Sequence, residues 1–230
     1  MADKLFYLLQ VNDALFPIGG YSHSQGLETY IQKGIVYDAH TAEEYIHQKL
    51  KWSLTYTDLL AARLAYEYAE KGDLESILEL EEILEASRLP SEHRDASKKM
   101  GSRFAKTVEK LGLDIVDEGV FRDYIKSRKA KVMNHPCIYG VFCGALGVGI
   151  ADTLSHYLYG QTSAIVTNCV KTIPLSQTAG QQILAGCYKC FNDILEKVMV
   201  LTVDDLCLSA PGFDIRGIQH EKLYSRIYMS

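Results

Sequence analysis

Between Thr41 and Tyr68 the residues Ile46, Leu50, Leu54, Thr57, Ala61, Leu64 and Tyr68 recur at spacings of three or four. That spacing places them on one face of a helix of about seven turns. Nowhere does the chain show sustained alternation of apolar and polar residues between hairpin turns, which strands would require. Such a face must therefore be buried by other helices. The sequence predicts an all-α fold.

Punctuation along the chain sets the other helices. Ser22 with Gln25, and Thr41 with Glu44, match the capping box, in which two side chains satisfy orphan amides of a first turn. Gly34 would close the first of these helices as its C′ residue. Gly72 stops the long helix, and Asp73 caps the next, whose stripe is Ile77, Leu80 and Leu84. After Pro90-Ser91 comes a polar segment, Glu92 to Leu111, with a thin stripe of Met100, Phe104 and Val108, ended by Gly112. A shorter helix is expected over 118–130. Pro174 separates the stretch before it from a last long helix, roughly 176–201, and Thr202 with Asp205 suggests one more short cap.

The most apolar part runs from Pro136 to Leu158, and the sequence predicts one central helix there. Gly140 and Gly144 lie on one face of it, with Gly147 on the next turn. Each glycine costs a helix about 1 kcal/mol relative to alanine, a loss offset where it lets a neighbouring helix come close. The longest uncharged stretch, Val132 to Ala151, is broken by Asn134, His135 and Pro136 and holds four glycines. It reads as a buried helix rather than a membrane span, which needs ~20 mostly apolar residues. With 230 residues, 47% of them hydrophobic, and no polar linker or internal repeat, residues 1–230 form a single domain.

A formal net charge of −5 argues against nucleic acid as a partner. Met1-Ala2-Asp3-Lys4 lacks the basic start and apolar run of a secretory signal. The six cysteines all lie in the second half, mostly in apolar runs. They are expected as free, buried thiols of a cytoplasmic protein rather than a disulfide framework.

Candidate chemistry is sparse. Gly20-Tyr21-Ser22-His23-Ser24 lacks the last glycine of a nucleophile elbow and the strand that must precede it. Gly144 to Gly149 lacks the Gly-Lys-Ser/Thr ending of a phosphate loop. Cys187-Tyr188-Lys189-Cys190 puts two sulfurs on one helical face, so a thiol, redox or metal-binding role is the alternative reading of the chain. Cys169 and Cys207 do not supply the second pair that a structural zinc site needs. His135-Pro136-Cys137 brings two soft ligands together, too few to hold a metal, and Pro136 reads as the first residue of a helix. The basic run 126–131 reads as a solvated helix end, or as a surface for an acidic partner. No catalytic residue, metal ligand or cofactor site is predicted.

Four stretches, in order, carry a resemblance. The first is Pro17-Ile18-Gly19-Gly20-Tyr21-Ser22-His23-Ser24-Gln25-Gly26-Leu27-Glu28. The second is the polar helix with Ser87-Arg88, Arg94, Ser97 and Met100-Gly101. The third is the apolar half with His135-Pro136, Leu146-Gly147, Tyr157-Leu158-Tyr159 and Asn168 to Thr178. The last is the tail Gln219-His220-Glu221-Lys222-Leu223-Tyr224-Ser225-Arg226. Together they resemble the UreF family of urease accessory proteins, which help load nickel into urease. Ala179, Cys187 and Cys190 depart from the family pattern.

The resemblance implies an all-helical homodimer without catalytic activity of its own. It implies binding to a second accessory protein of the UreD/UreH type and, through that complex, to the UreG-type GTPase. The assembly would deliver nickel to apo-urease. Tyr45, Tyr56, Tyr66 and Tyr68 offer more ring surface than one helical stripe can bury, which suits an interface. The tail from Phe213 to Ser230 has little apolar surface and is expected to be mobile alone and ordered by the UreD-type partner. Ile215, Ile218, Leu223 and Tyr224 are its expected anchors, beside the polar Gln219, His220 and Glu221. Tyr21, held by the Pro17–Gly20 turn, and Arg226 would form one surface that engages the GTPase.

Overall fold

The computed structural model describes residues 2–129, 131, 133–208 and 210–230, and the side chains of all of these except Ala2, Asp3, Tyr21 and Asp117. The described residues are helices and loops, without a strand. In chain order the helices are α1 (Ala2–Asn12), α2 (Leu27–Gln32), α3 (Ala39–Gln48), α4 (Leu60–Glu70), α5 (Leu74–Ser87), α6 (Ser91–Glu109), α7 (Asp114–Asp117), α8 (Gly119–Arg128), α9 (His135–Leu146), α10 (Ile150–Thr172), α11 (Gln177–Val200) and α12 (Pro211–His220). The all-α reading of the sequence holds.

The long helix is one rod with a change of gauge. Between α3 and α4, Lys49–Leu59 is π-helical, a wider turn that is rare over such a length. The Thr55 hydroxyl donates to the Leu50 carbonyl, five residues back, at 2.7 Å. Asp38, not Thr41, caps α3. The Thr41 amide donates to the Asp38 carboxylate at 2.9 Å, and the Asp38 amide donates to the Thr41 hydroxyl at 3.0 Å.

Two other boundaries differ from expectation. Ser22 does not open a helix. It ends a short 3-10 turn, Gly20–Ser22, and α2 begins only at Leu27 behind Gly26, whose φ is +86°. The intervening amides of Ser24 and Gln25 point instead at the Ser230 carbonyl oxygen, at 2.5 and 2.9 Å. The central helix, in turn, is two. Gly147 takes a left-handed conformation, φ +69°, and ends α9. The Val148 amide folds back to the Cys143 carbonyl at 3.0 Å, and the Tyr66 hydroxyl donates to the Val148 carbonyl at 2.7 Å. The remaining punctuation lies where the residues place it: Gly34, Gly72 and Gly112 have φ of +67°, +67° and +66°, Asp73 and Ser176 accept from amides of α5 and α11, and Thr202 with Asp205 forms a capping box.

α9 sits at the centre, and its glycines let it lie against α4 almost backbone to backbone. A Cβ at Gly140 would fall 2.2 Å from the Ala62 carbonyl oxygen, and one at Gly144 would fall 2.9 Å from that of Tyr66. Phe104, Phe121, Phe142 and Tyr139 fill the space around α9 on its other sides, with Phe104 and Phe142 ring centroids 5.4 Å apart.

A buried carboxylate fixes where α9 starts. Glu81 of α5 is fully buried. It accepts the Asn134 amide at 3.0 Å and the Asn134 Nδ2 at 2.8 Å. The Tyr124 hydroxyl also donates to it, and the Arg128 guanidinium lies 3.7 Å away. Three elements thus meet on one side chain: α5, α8 and the N-cap of α9. Burial pushes the Glu81 carboxyl up, while the bonds from Tyr124 and Asn134 and the charge of Arg128 pull it down.

Gly140→Ala should therefore lower unfolding stability by about 3 kcal/mol, because the clash is with backbone that cannot step aside. Glu81→Ala should lower it by about 3 kcal/mol, since it leaves the Asn134 amide and the Tyr124 hydroxyl without their acceptor in the interior. Urea denaturation followed by circular dichroism measures both. A loss below about 1 kcal/mol in either variant contradicts these assignments.

Candidate functional site

The tail folds back across the start of the chain. Pro211 opens α12 at its first turn, and the helix settles between α2 and α6. Gly217 makes this seat possible: a Cβ there would lie 2.6 Å from the His93 ring and 2.7 Å from Pro90. The Thr29 hydroxyl of α2 donates to the Arg216 carbonyl at 2.9 Å. Phe213 tilts against Tyr30 and Tyr45, with ring centroids 5.9 and 5.8 Å away.

A second buried carboxylate organises the seat. Glu28 is 5% exposed and accepts the amides of Ile227 at 2.7 Å and Tyr228 at 3.0 Å. His220, fully buried, stands between Glu28 and Glu92 of α6. Its Nε2 is 3.1 Å from one carboxylate and its Nδ1 2.7 Å from the other. Arg226 donates to the second oxygen of Glu92, and Glu221 accepts the Ser91 amide at the start of α6 at 2.8 Å. Beyond Tyr228 the Met229 amide donates to the Ser22 carbonyl at 2.9 Å, and the Ser230 hydroxyl bonds His23 Nδ1 at 2.8 Å.

These contacts sort the residues singled out from the sequence. His220 faces inward, between α2 and α6, while Glu221 and Arg226 are exposed and bond to α6 at its surface. Gln219 accepts from Arg216 at 2.7 Å. Ile215 and Ile218 lie on the outer face of α12, 50% and 41% exposed, and Tyr224 is fully exposed. Leu223 is half-buried. The chain's own α2 and α6 thus offer the tail a seat of polar bonds together with the packing of Phe213 and Tyr228, and the outward side carries Ile215, Ile218 and Tyr224. Tyr21 has its backbone in the Gly20–Ser22 turn that Met229 reaches, but its side chain lies outside the described residues, so no distance to Arg226 is assigned. Arg226 has Glu92 as its partner.

Glu28, Glu92, Thr29 and His23 receive the tail. His23 and Glu28 lie in the first stretch of the resemblance but were given no role there, and Thr29 and Glu92 were not singled out from the sequence. Only a tail laid over them reveals the role.

Other candidates fall away or shift. Tyr45 and Tyr66 are buried within the chain, 6% and 3% exposed, so the long helix does not hold all its tyrosines for an interface. Arg128 of the basic run is buried and paired with Glu81 and Glu82. Cys187 is buried, and burial pushes its thiol up to about 12. Cys190 donates to the Cys187 carbonyl at 3.0 Å. Neither sulfur sits in the electropositive setting that activates a thiol. His135 is buried beside Tyr157, and desolvation pulls it down to about 4. Among the described residues no group of three or more His, Cys, Asp or Glu is placed to hold a metal ion, and no helix is long and apolar enough to cross a membrane.

The carboxylate bonds give the tail seat a sharp test. His220→Ala leaves Glu28 and Glu92 facing one another across a void. Hydrogen exchange of the Ile227, Tyr228 and Met229 amides should then quicken by about tenfold or more, while amides of α9 keep their protection. Unchanged exchange at those three amides would mean that the histidine does not hold the tail.

The model of the UreF family matches residues 36–188. The matched span runs from just before α3 into α11 and covers well over half of the chain. It takes in the α4–α9 contact and the Glu81 centre, and leaves the Gly20–Ser22 turn and the tail outside. The helical core and this match agree with the resemblance read from the residues: the chain belongs to the UreF family of urease accessory proteins.

Proposed function

We propose that this chain is a non-catalytic, cytoplasmic scaffold that, with a UreD/UreH-type accessory protein, recruits a UreG-type GTPase for nickel insertion into apo-urease. Family membership supports the accessory role. The observation that carries the finer reading is the outward apolar side of the tail. Ile215, Ile218, Tyr224 and Ile227 are exposed on a segment whose other side is anchored by polar bonds. Exposed apolar residues gathered on one segment suit a protein partner, and the UreD/UreH-type protein is the one assigned to it, with Leu223 at the edge and Gln219 among the polar rim. A homodimer through another face is part of the same proposal and rests on the family resemblance.

Tyr21 and Arg226 belong to the proposed GTPase-facing surface. The last residues of the tail return to the turn that holds Tyr21, and Arg226 is 38% exposed at its side chain while it pairs with Glu92. A guanidinium has donors to spare after one carboxylate bond.

Truncation after Ala210 should abolish co-purification with the UreD/UreH-type protein and leave the helical content of the remainder intact. Ile218→Asp should weaken that binding by tenfold or more, about 1.4 kcal/mol. Tyr21→Ala and Arg226→Lys should keep that binding and weaken GTPase recruitment and urease activation. The lysine variant keeps the charge beside Glu92 and loses only the planar fork. Full binding by the truncated chain would refute the tail as the partner site. Parental GTPase recruitment by both single variants would move that surface elsewhere.

A further inference from the structure

An enclosed cavity of about 60 Å3 lies where the π-helical segment, the end of α5, α6, α9, α10 and the start of α12 meet. Lys49, Asp58, Arg88, His93, His135 and Gln161 are in its wall. Lys49 is the unusual one. It is 4% exposed. Its ammonium donates to the Gln25 carbonyl at 3.2 Å and stands 5.2 Å from the Phe213 ring centroid. No carboxylate of a described residue comes within 4.0 Å of it. A buried charge without such a partner is costly.

The nearby acids are engaged. Asp58 accepts from Arg88 Nη2 at 2.8 Å and from the Thr57 hydroxyl at 3.1 Å. Asp214, at the rim, is half-buried and has a partner of its own. Meanwhile Arg88 Nε and His93 Nε2 are buried without any partner. The wall therefore has donors left over and a cation to balance. Buried orphan polar groups of this kind mark an unfilled position for water or an ion.

We propose that this cavity binds a small monovalent oxyanion of the formate and nitrate class, with Lys49 as its charge partner and Arg88 as a further donor. Charge favours that class: one ammonium without a carboxylate partner balances one negative charge, and a cavity of about 60 Å3 has room for a planar anion of three or four heavy atoms. Gln25, Met100, His135 and Gln161 also line a neighbouring cavity of about 350 Å3 on the side of α1 and α10. The π-helical turn supplies the room: Lys49, Ser53, Thr57 and Asp58 all come from it.

Protonation gives the site a signature. Burial pulls Lys49 down to about 8, with Asp58 and Asp214 pulling the other way and Arg88 adding to the fall. Among the other groups facing it, His135 is held at about 4, His93 falls well below its ordinary range and Cys207 rises to about 11, all mainly through burial. Tyr157 is raised far higher for the same reason. Arg88 stays charged, held up by Asp58 against its own burial. Lys49 is thus the member of this set that discharges between about pH 7 and about pH 9. An anion there should bind best with the ammonium charged and be lost as pH rises through that window.

The test uses the full chain, with sodium formate and sodium nitrate as probes and divalent sodium sulfate at equal ionic strength as the charge control. Isothermal titration should give saturable binding with formate or nitrate and none with sulfate. Lys49→Met, checked for helical content, should bind at least about tenfold more weakly. In the parental chain affinity should fall from about pH 7 to about pH 9. A sulfate response equal to that of formate, an unchanged response in Lys49→Met, or a flat pH profile in the parent would each overturn the proposal and leave the cavity to water.

Discussion

The approach of α9 to α4 is the constraint on which the other helices depend. With glycine at 140 and 144 the two backbones come within reach of each other, so α9 can be surrounded on all sides. Everything else is arranged around that pair. α6 and α8 bring aromatic rings to the free flanks of α9, and α10 begins at Ile150, three residues after Gly147 ends α9. A side chain at either position would push α9 outward and open the shell of phenylalanines around it.

Carboxylates do in the loops what glycines do in the core. Glu81 and Glu28 are both buried, and each collects backbone amides from a segment far away in sequence. An isolated buried carboxylate is destabilising, whereas one that accepts several N–H groups is compensated and fixes geometry. Glu81 sets the start of the central helix. Glu28 sets the course of the last residues. The chain thus uses the same device once for its core and once for its tail.

The helical class, most breaks and the role of the paired glycines were legible because they depend on local rules: period, caps and left-handed turns. Asp73, Gly72 and Ser176 obey those rules without help. What escaped was set by contacts distant in sequence. Ser22 looks like an N-cap, yet the amides it would have capped near are claimed by Ser230, about two hundred positions on. Gly147 reads equally well as a helix-packing glycine or a helix stop, and Tyr66 on another helix decides for the stop. The π-helical turn has no composition signal at all. At the candidate site, the sequence marked out the tail, but the way it lies on α2 and α6 could not be read from it. His220 and Arg226 look like solvent-facing polar residues until Glu28 and Glu92 are placed beside them.

The knitting of Glu28 to Tyr228, 200 positions apart, also says something about how the molecule is finished. Joining such distant segments adds little free energy, since closure entropy grows only slowly with length, but it takes time and needs the intervening helices in place. During synthesis the core of α3 to α10 can assemble while residues near the start still lack their cover. The seat on α2 and α6 stays vacant until the last stretch emerges and settles. The exposed apolar side chains of the tail are thus held in place only where α2 and α6 are already folded to seat it.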